Sequence, residues 1–261
     1  AHVDLIEQEL LERDRTHAVI HLYISPGESP LEAVSYLRER LEAEGVPFSV
    51  ETDKVDEEDW ATAWKKYSFP TRVGERLVVC PSWEDYAPAP GEVVLTMDPG
   101  MAFGTGTHDT TRLCMQLLEK YAAPGVKLLD VGTGSGILAV AALLLGADSA
   151  VGVDIDEVAV RVAKENAAAN GVGDRAAFLA GDLADRVDGR FAVVTANIVA
   201  DIILRLIPDL GRFLEPDGVF IASGIIDTRE ADVVSALEGA GYRLADRRES
   251  GGWVALAAVR G

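Results

Sequence analysis

Residues 128–137 read LLDVGTGSGI. An apolar run interrupted only by Asp130 ends in three glycines at alternate positions, Gly132, Gly134 and Gly136, and a long apolar stretch begins at Ile137. That order predicts a strand, a tight turn and a helix, because glycine lets the backbone reverse sharply and approach a ligand closely at a helix N-terminus. Some twenty residues further on, VGVDID puts Asp154 at the end of the next apolar run, where a carboxylate accepts hydrogen bonds from ribose hydroxyls. Spacing then selects among cofactors. A dinucleotide loop, G-x-G-x-x-G, needs its third glycine at position 137, which is Ile137. The pattern here is G-x-G-x-G, so Gly132, Gly134 and Asp154 are candidate contacts for a nucleoside cofactor, with a nicotinamide or flavin site and a plain structural turn as the alternatives.

Outward from this stretch, apolar runs at 127–131, 150–154, 176–180, 191–196 and 218–223 alternate with helical patterns at 137–145, 157–170, 198–213 and 228–240. Such alternation predicts an α/β fold, a parallel sheet with helices on both faces. Runs at 242–249 and 253–259, joined across Gly251-Gly252, predict a C-terminal antiparallel hairpin closing one edge, for seven strands in all. Before the glycine loop, strands are expected at 76–80 and 92–97. An amphipathic helix is expected at 112–121, with Leu113, Leu117, Leu118 and Tyr121 on one face.

The first third reads as a small mixed unit: a helix at 5–12, a strand at 17–24, a helix at 30–44 ended by Gly45, and a strand from 48 to 51. WATAWKKY at 60–67 sets Trp60 and Trp64 four apart on one helical face, a spacing that suits core packing. The expected division is a small N-terminal α/β unit at 1–54, a linker helix at 55–70 and a larger domain at 71–261. The chain opens on Ala1, not on Met, which is taken to mean a fragment.

The formal net charge of -19, from 43 acidic and 24 basic residues, argues against a sequence-independent grip on nucleic acid, which needs phosphate-neutralising Lys and Arg. It suits a basic protein partner and equally suits solubility or adaptation to salt. No apolar run is long enough to span a bilayer and no signal-type core stands at the N-terminus, so a cytoplasmic location without membrane attachment is expected, and a monomer. Cys80 and Cys114 lack metal-type spacing and read as small buried hydrophobes; no metal site is expected.

Two further stretches carry chemistry. In TANIVADI, Asn197 follows the fourth strand of the alternating region, at the sheet end where open α/β sheets bind ligands; it could also cap the next helix. Asp182 in LAGDL follows the third strand and is either an acceptor for an adenine amine or a solvated loop acid. MDPGMAFGTGTHDTT at 97–111 lacks the Gly-Lys-Ser/Thr of a triphosphate loop. Some of its polar groups cap the following helix, and His108, with no Cys or His nearby, serves either a structural hydrogen bond or catalysis.

The glycine loop resembles that of the Rossmann-like S-adenosylmethionine-dependent methyltransferases. Asn197-Ile198-Val199-Ala200 lacks the Pro-Pro-Tyr of glutamine- and adenine-modifying relatives, which disfavours methylation of a nucleobase. Four blocks in order, EEDWATAWKKY (57–67), DPGMAFGTGTHDTT (98–111), LLDVGTGSGILAVAA (128–142) with VGVDID, and TANIVADII (195–203), with SGIIDTRE and GGWVALAA after them, resemble the ribosomal protein L11 methyltransferase family over roughly residues 55–261. The resemblance implies S-adenosylmethionine as donor and methylation of lysine side chains and the N-terminal α-amino group of a basic ribosomal protein. It implies that Thr111, Gly132, Asp154 and Asn197 contact the cofactor, with Asn197 near the methyl and catalytic, and that Phe103, Gly104 and Thr105 lie over its methionine end. The family carries a ferredoxin-like substrate-recognition domain at the N-terminus, of which about the second half is recognisable here. Two alternatives stay open: a methyltransferase for another protein or a small amine, and a cofactor-binding module inactive through loss of its recognition domain.

Overall fold

The computed structural model describes residues 69–98, 108–183 and 187–261, with the isolated positions 41, 45, 47 and 49. The chain divides into two compact units, Ala1–Thr62 and Ala63–Gly261. The elements expected at 5–12, 17–24, 30–44 and 48–51, the Trp60/Trp64 helix, and Phe103, Gly104 and Thr105 lie outside the described residues, apart from those isolated positions.

The larger unit holds two sheets. The first is small: β1 (Thr71–Arg72), β2 (Leu77–Cys80) and β3 (Val93–Thr96), with β1 antiparallel and β3 parallel to β2. Strand β1 is too short to leave a pattern in the sequence. The second sheet has seven strands in the order β6-β5-β4-β7-β8-β10-β9. Strands β4 (Lys127–Val131), β5 (Ser149–Asp154), β6 (Ala176–Ala180), β7 (Phe191–Asn197) and β8 (Leu214–Ile226) run parallel, and β9 (Tyr242–Ser250) and β10 (Trp253–Arg260) form the antiparallel pair. The last strand inserts between β8 and β9, so the outermost strand at this edge is the charged β9 (YRLADRRES), a composition that resists pairing with another chain.

Helices α1 (Asp109–Tyr121), α2 (Ile137–Leu145) and α3 (Glu157–Ala169) build one hydrophobic cluster on the sheet. Helices α4 (Ala200–Leu206), α5 (Leu210–Phe213) and α6 (Glu230–Gly239) build the other. Helix α2 (ILAVAALLL) is buried at every position except Leu144, which explains its lack of a polar face. The helix expected at 198–213 is broken in two. Pro208, which has no N–H to donate along a helix, sits at the start of a single 3₁₀ turn, Ile207–Asp209, between α4 and α5. Strand β8 begins at Leu214, four residues before the expected 218; the turn-like Pro216-Asp217-Gly218 hid its first residues.

Glu119 on α1 ties the small sheet down. Its carboxylate accepts from the backbone N–H groups of Glu75, Arg76 and Leu77 at 2.7, 2.8 and 2.6 Å, and Gln116 donates to the Val73 carbonyl at 2.9 Å. Glu119→Ala leaves three amides to find water and is expected to lower the unfolding free energy by about 1–3 kcal/mol. A denaturant midpoint equal to that of the parent would contradict this anchoring role.

Candidate active site

All seven buried polar or charged side chains among the described residues, Thr110, Thr111, Asp130, Thr133, Ser135, Thr195 and Ser223, gather at the C-terminal ends of β4, β7 and β8, in the loop after β4 and at the start of α1. In an open α/β sheet this end receives ligands. The polar layer is built around Asp130, only 1% exposed. Its carboxylate accepts from the Thr195 hydroxyl at 2.6 Å and the Thr133 hydroxyl at 2.7 Å, and from the backbone N–H of Ala139 in the first turn of α2.

The glycine loop takes up its own donors. Gly132, Gly134 and Gly136 have φ of 72°, 53° and 79°. The Gly136 position is also crowded, since a Cβ there would lie 2.9 Å from that of Ala163. The N–H groups of Gly132 and Thr133 donate to the Val153 carbonyl, that of Gly136 to Thr133, and that of Gly134 to Asp154 Oδ2 at 2.8 Å. Asp130, meanwhile, lies against the first turn of α2, so the positive end of that helix faces a carboxylate of the chain itself. These contacts suit a nucleoside cofactor without a diphosphate, as the G-x-G-x-G spacing does.

Burial pushes the Asp130 carboxyl up to about 6, against the pull of its hydroxyl donors, with the nearby Asp154 charge adding to the rise. The folded protein therefore holds this proton more tightly than the unfolded chain. The group favours folding fully below the unfolded pKa of 3.8, and that contribution is lost as pH rises to about 6. Asp130→Asn removes the titration. The stability of the variant relative to the parent is expected to improve by about 3 kcal/mol between pH 3.5 and 7. Parallel pH profiles of the two proteins in denaturant unfolding would rule this out.

Asp154, at the end of β5, is half-buried; besides Gly134 it accepts from the N–H of Asp156 at 3.0 Å. Two residues that the sequence reading passed over flank the same region. Ile155 is 77% exposed, the most exposed large apolar side chain among the described residues, and Leu183 is the one described non-glycine residue with positive φ, 51°. An exposed isoleucine beside a strand-end acid and a strained leucine are features that cluster at ligand sites. The Gly181 N–H donates to the Asp154 carbonyl at 2.9 Å, which keeps the ends of β5 and β6 together. Asp182 is exposed and pairs with Arg205 at 3.4 Å.

Asn197 ends β7 and pairs in register with Ser223 of β8. It does not cap α4: the cap position is Val199, without a side-chain bond. Instead Asn197 Nδ2 donates to Thr111 Oγ1 at 3.2 Å, while Asn197 Oδ1 is buried and has no hydrogen-bond partner. Gly224, with φ of 80°, lies so close to the Ile198 carbonyl that a Cβ there would overlap it. His108 proves to be the N-cap of α1: its ring Nδ1 accepts from the Thr110 N–H at 3.3 Å and meets the Thr110 hydroxyl at 2.8 Å. The ring also packs edge-on to Trp253, 5.3 Å between centroids, and Ser250 donates to Asp109 at 3.1 Å, so the β9–β10 turn is fixed on the start of α1. Cys80 and Cys114 are free and buried, and burial pushes the Cys114 thiol up, with the Asp130 charge reinforcing the shift.

The structure thus brings together Thr111, Gly132, Gly134, Asp154 and Asn197 at one end of the sheet. The seven-stranded order, the phosphate-free glycine loop and the strand-end acid are those of the Rossmann-like S-adenosylmethionine-dependent methyltransferases. Comparison with known proteins narrows this. Residues 3–261 match the family model described as "Ribosomal protein L11 methyltransferase (PrmA)". A ribosomal protein L11 methyltransferase of Pelotomaculum thermopropionicum is 56% identical over 214 residues, 82% of this chain and 70% of that protein. One from Clostridium perfringens is 44% identical across 98% of this chain and 83% of its own length. The crystal structure of a ribosomal protein L11 methylase from Lactobacillus delbrueckii subsp. bulgaricus superposes with a TM-score of 0.70 at 38% identity, covering 74% of this chain and 99% of that one. The chain belongs to the ribosomal protein L11 methyltransferase family.

Proposed function

We propose that this chain methylates amines, lysine side chains and the N-terminal α-amino group, of a basic large-subunit ribosomal protein of the L11 type. The observation that carries the reading is the unpartnered, buried Asn197 Oδ1. A buried acceptor without a donor costs about 1–3 kcal/mol, and an amine N–H arriving at the strand end supplies the missing bond. The Ile198 carbonyl, beside side-chain-free Gly224, is a second acceptor for the same nitrogen. Two acceptors on its N–H bonds turn the nitrogen lone pair toward the cofactor. A lysine amine, near pKa 10.4 in water, is driven toward its neutral, nucleophilic form as burial at the site lowers that value.

S-adenosylmethionine, when bound, supplies an electrophilic methyl on sulfur. The residues fit it. Asp154 takes the ribose hydroxyls, Ile155 and Leu183 give the base apolar contact, Asp182 accepts from its exocyclic amine, and Gly132 and Gly134 leave room for close backbone approach. Thr111 and Phe103, Gly104 and Thr105 are assigned to the methionine half on family likeness. The chain's own contribution is alignment, which supplies much of the acceleration of a direct displacement.

In the same reading, residues 1–54 form the substrate-recognition unit, 55–70 the link and 71–261 the catalytic domain, acting as a monomer in the cytoplasm without gripping nucleic acid directly. The net charge of -19 supports a basic protein partner. Among the described residues no helix is long and apolar enough to cross a membrane. Incubation with labelled S-adenosylmethionine and, separately, the purified ribosomal protein, ribosomal RNA and free lysine tests the proposal. Label is expected in the protein; label in RNA or free lysine alone would overturn it.

A further inference from the structure

A lysine nitrogen arrives on a stem of methylene groups, which gains free energy by leaving water for an apolar surface, whereas an N-terminal α-amino nitrogen sits directly on the backbone and has no such stem. The end of the sheet beyond Asn197 offers a surface of that kind. The last registered pair of β7 and β8 is Asn197 with Ser223, and β8 runs on through Gly224, Ile225 and Ile226 while β7 turns off into α4. Ile225 is fully buried, but Ile226 is 44% exposed, and Val199, at the N-cap of α4 two residues after Asn197, is 64% exposed. Apolar side chains grouped at the rim of a site mark a surface that something covers. We propose that Ile226, Val199 and the half-buried Trp253 form an apolar rim that takes the methylene stem of the acceptor lysine and so sets a preference for lysine side chains.

The rim is held in place from both sides. Trp253 lies directly opposite Ile226 in the antiparallel pairing of β8 with β10, so the two side chains share one face of the sheet. That face is the one α1 covers, because Trp253 packs on the cluster built by α1 to α3 and meets the ring of His108, the N-cap of α1, edge-on. Toward α4, the Ile198 N–H donates to the Ser223 carbonyl at 3.1 Å. Arg229, just past β8, donates to Asp201 in the first turn of α4 and to Asp232 of α6, both at 2.8 Å. These bonds keep Val199 and Ile226 at the same strand ends as Asn197. The charge beside the rim suits a lysine, since exposed Asp201, Asp227 and Asp232 stand against the Arg229 guanidinium and leave the neighbourhood acidic.

The proposal rests on the amine-methylating reading above, and its test separates the two. Ile226→Ser removes the apolar surface and Ile226→Leu keeps it. The purified ribosomal protein is the substrate, and the rate at each modified nitrogen is followed by mass spectrometry. The ratio of lysine to N-terminal methylation is expected to fall roughly tenfold in the serine variant, the scale of a lost methylene contact, and to stay within about twofold of the parent in the leucine variant. S-adenosylmethionine affinity by calorimetry is expected to stay within about twofold in both. Should Ile226→Ser melt far below the parent, Val199→Ser carries the same comparison. An unchanged ratio, or cofactor affinity falling in step with the rates, would overturn the proposal. A second measurement needs no ribosomal protein. In the complex with S-adenosylhomocysteine, the Ile226 methyl resonances, assigned by their loss in Ile226→Ser, are expected to shift as Nα-acetyl-lysine amide is added and to hold their positions with Nα-acetyl-alanine amide. An equal response to both compounds, or to neither, would also overturn it. Shifted resonances in a protein that leaves the ribosomal protein unmodified would sink the substrate reading and leave the lysine rim standing.

Discussion

Asn197→Ala is expected to cut turnover by roughly 100-fold or more while leaving S-adenosylmethionine affinity within a few-fold of the parent. Asn197 has an unpartnered, buried Oδ1, which on the proposed reading meets the incoming nitrogen, and its Nδ2 donates to Thr111. Alanine removes the group that aligns the nucleophile but touches neither the glycine loop nor Asp154. Single-turnover kinetics beside calorimetry distinguish the outcomes. A variant that binds the cofactor poorly and turns over normally once saturated would move Asn197 from the acceptor to the cofactor.

Asp154→Ala is expected to do the reverse, weakening cofactor binding by roughly 100-fold, the equivalent of about 3 kcal/mol for two charge-assisted bonds to ribose hydroxyls. Part of the loss is structural, because the same carboxylate holds the N–H groups of Gly134 and Asp156 and so shapes the loop it borders. Asp154→Asn keeps an acceptor for one of them and should fall between the parent and the alanine variant in a calorimetric titration. Equal affinity across all three proteins would remove Asp154 from the binding site.

The parts of the fold that were legible in the sequence are those written in local periodicity. Strands β4 and β6 and helix α2 fall where the apolar runs put them, and the glycine spacing correctly separated a nucleoside loop from a dinucleotide one. What could not be read depends on contacts between distant residues. Thr111 and Asn197 are 86 positions apart, and nothing in either neighbourhood announces their bond. The capture of three β1–β2 amides by Glu119 and the insertion of β10 between β8 and β9 are likewise tertiary. Other features carried weak local signals that were passed over: Pro208 inside a long helical pattern, and an isoleucine directly after the strand-end acid. Asn197 was a candidate for the acceptor side and for a helix cap, and the capping alternative fell only once the dihedrals of Val199 placed the helix start two residues later.

On the proposed reading, this strand end presents an acceptor to an amine of a ribosomal protein. Its most direct test is to react the purified L11-type protein with S-adenosylmethionine and the chain, then to map the modified positions by fragmentation mass spectrometry. Mass is expected to rise in steps of one methyl group, located on lysine Nζ atoms and on the N-terminal nitrogen, and to rise far more slowly in Asn197→Ala. Methyl groups found on glutamine amides or carboxylates of that protein, or on RNA with the protein untouched, would contradict it.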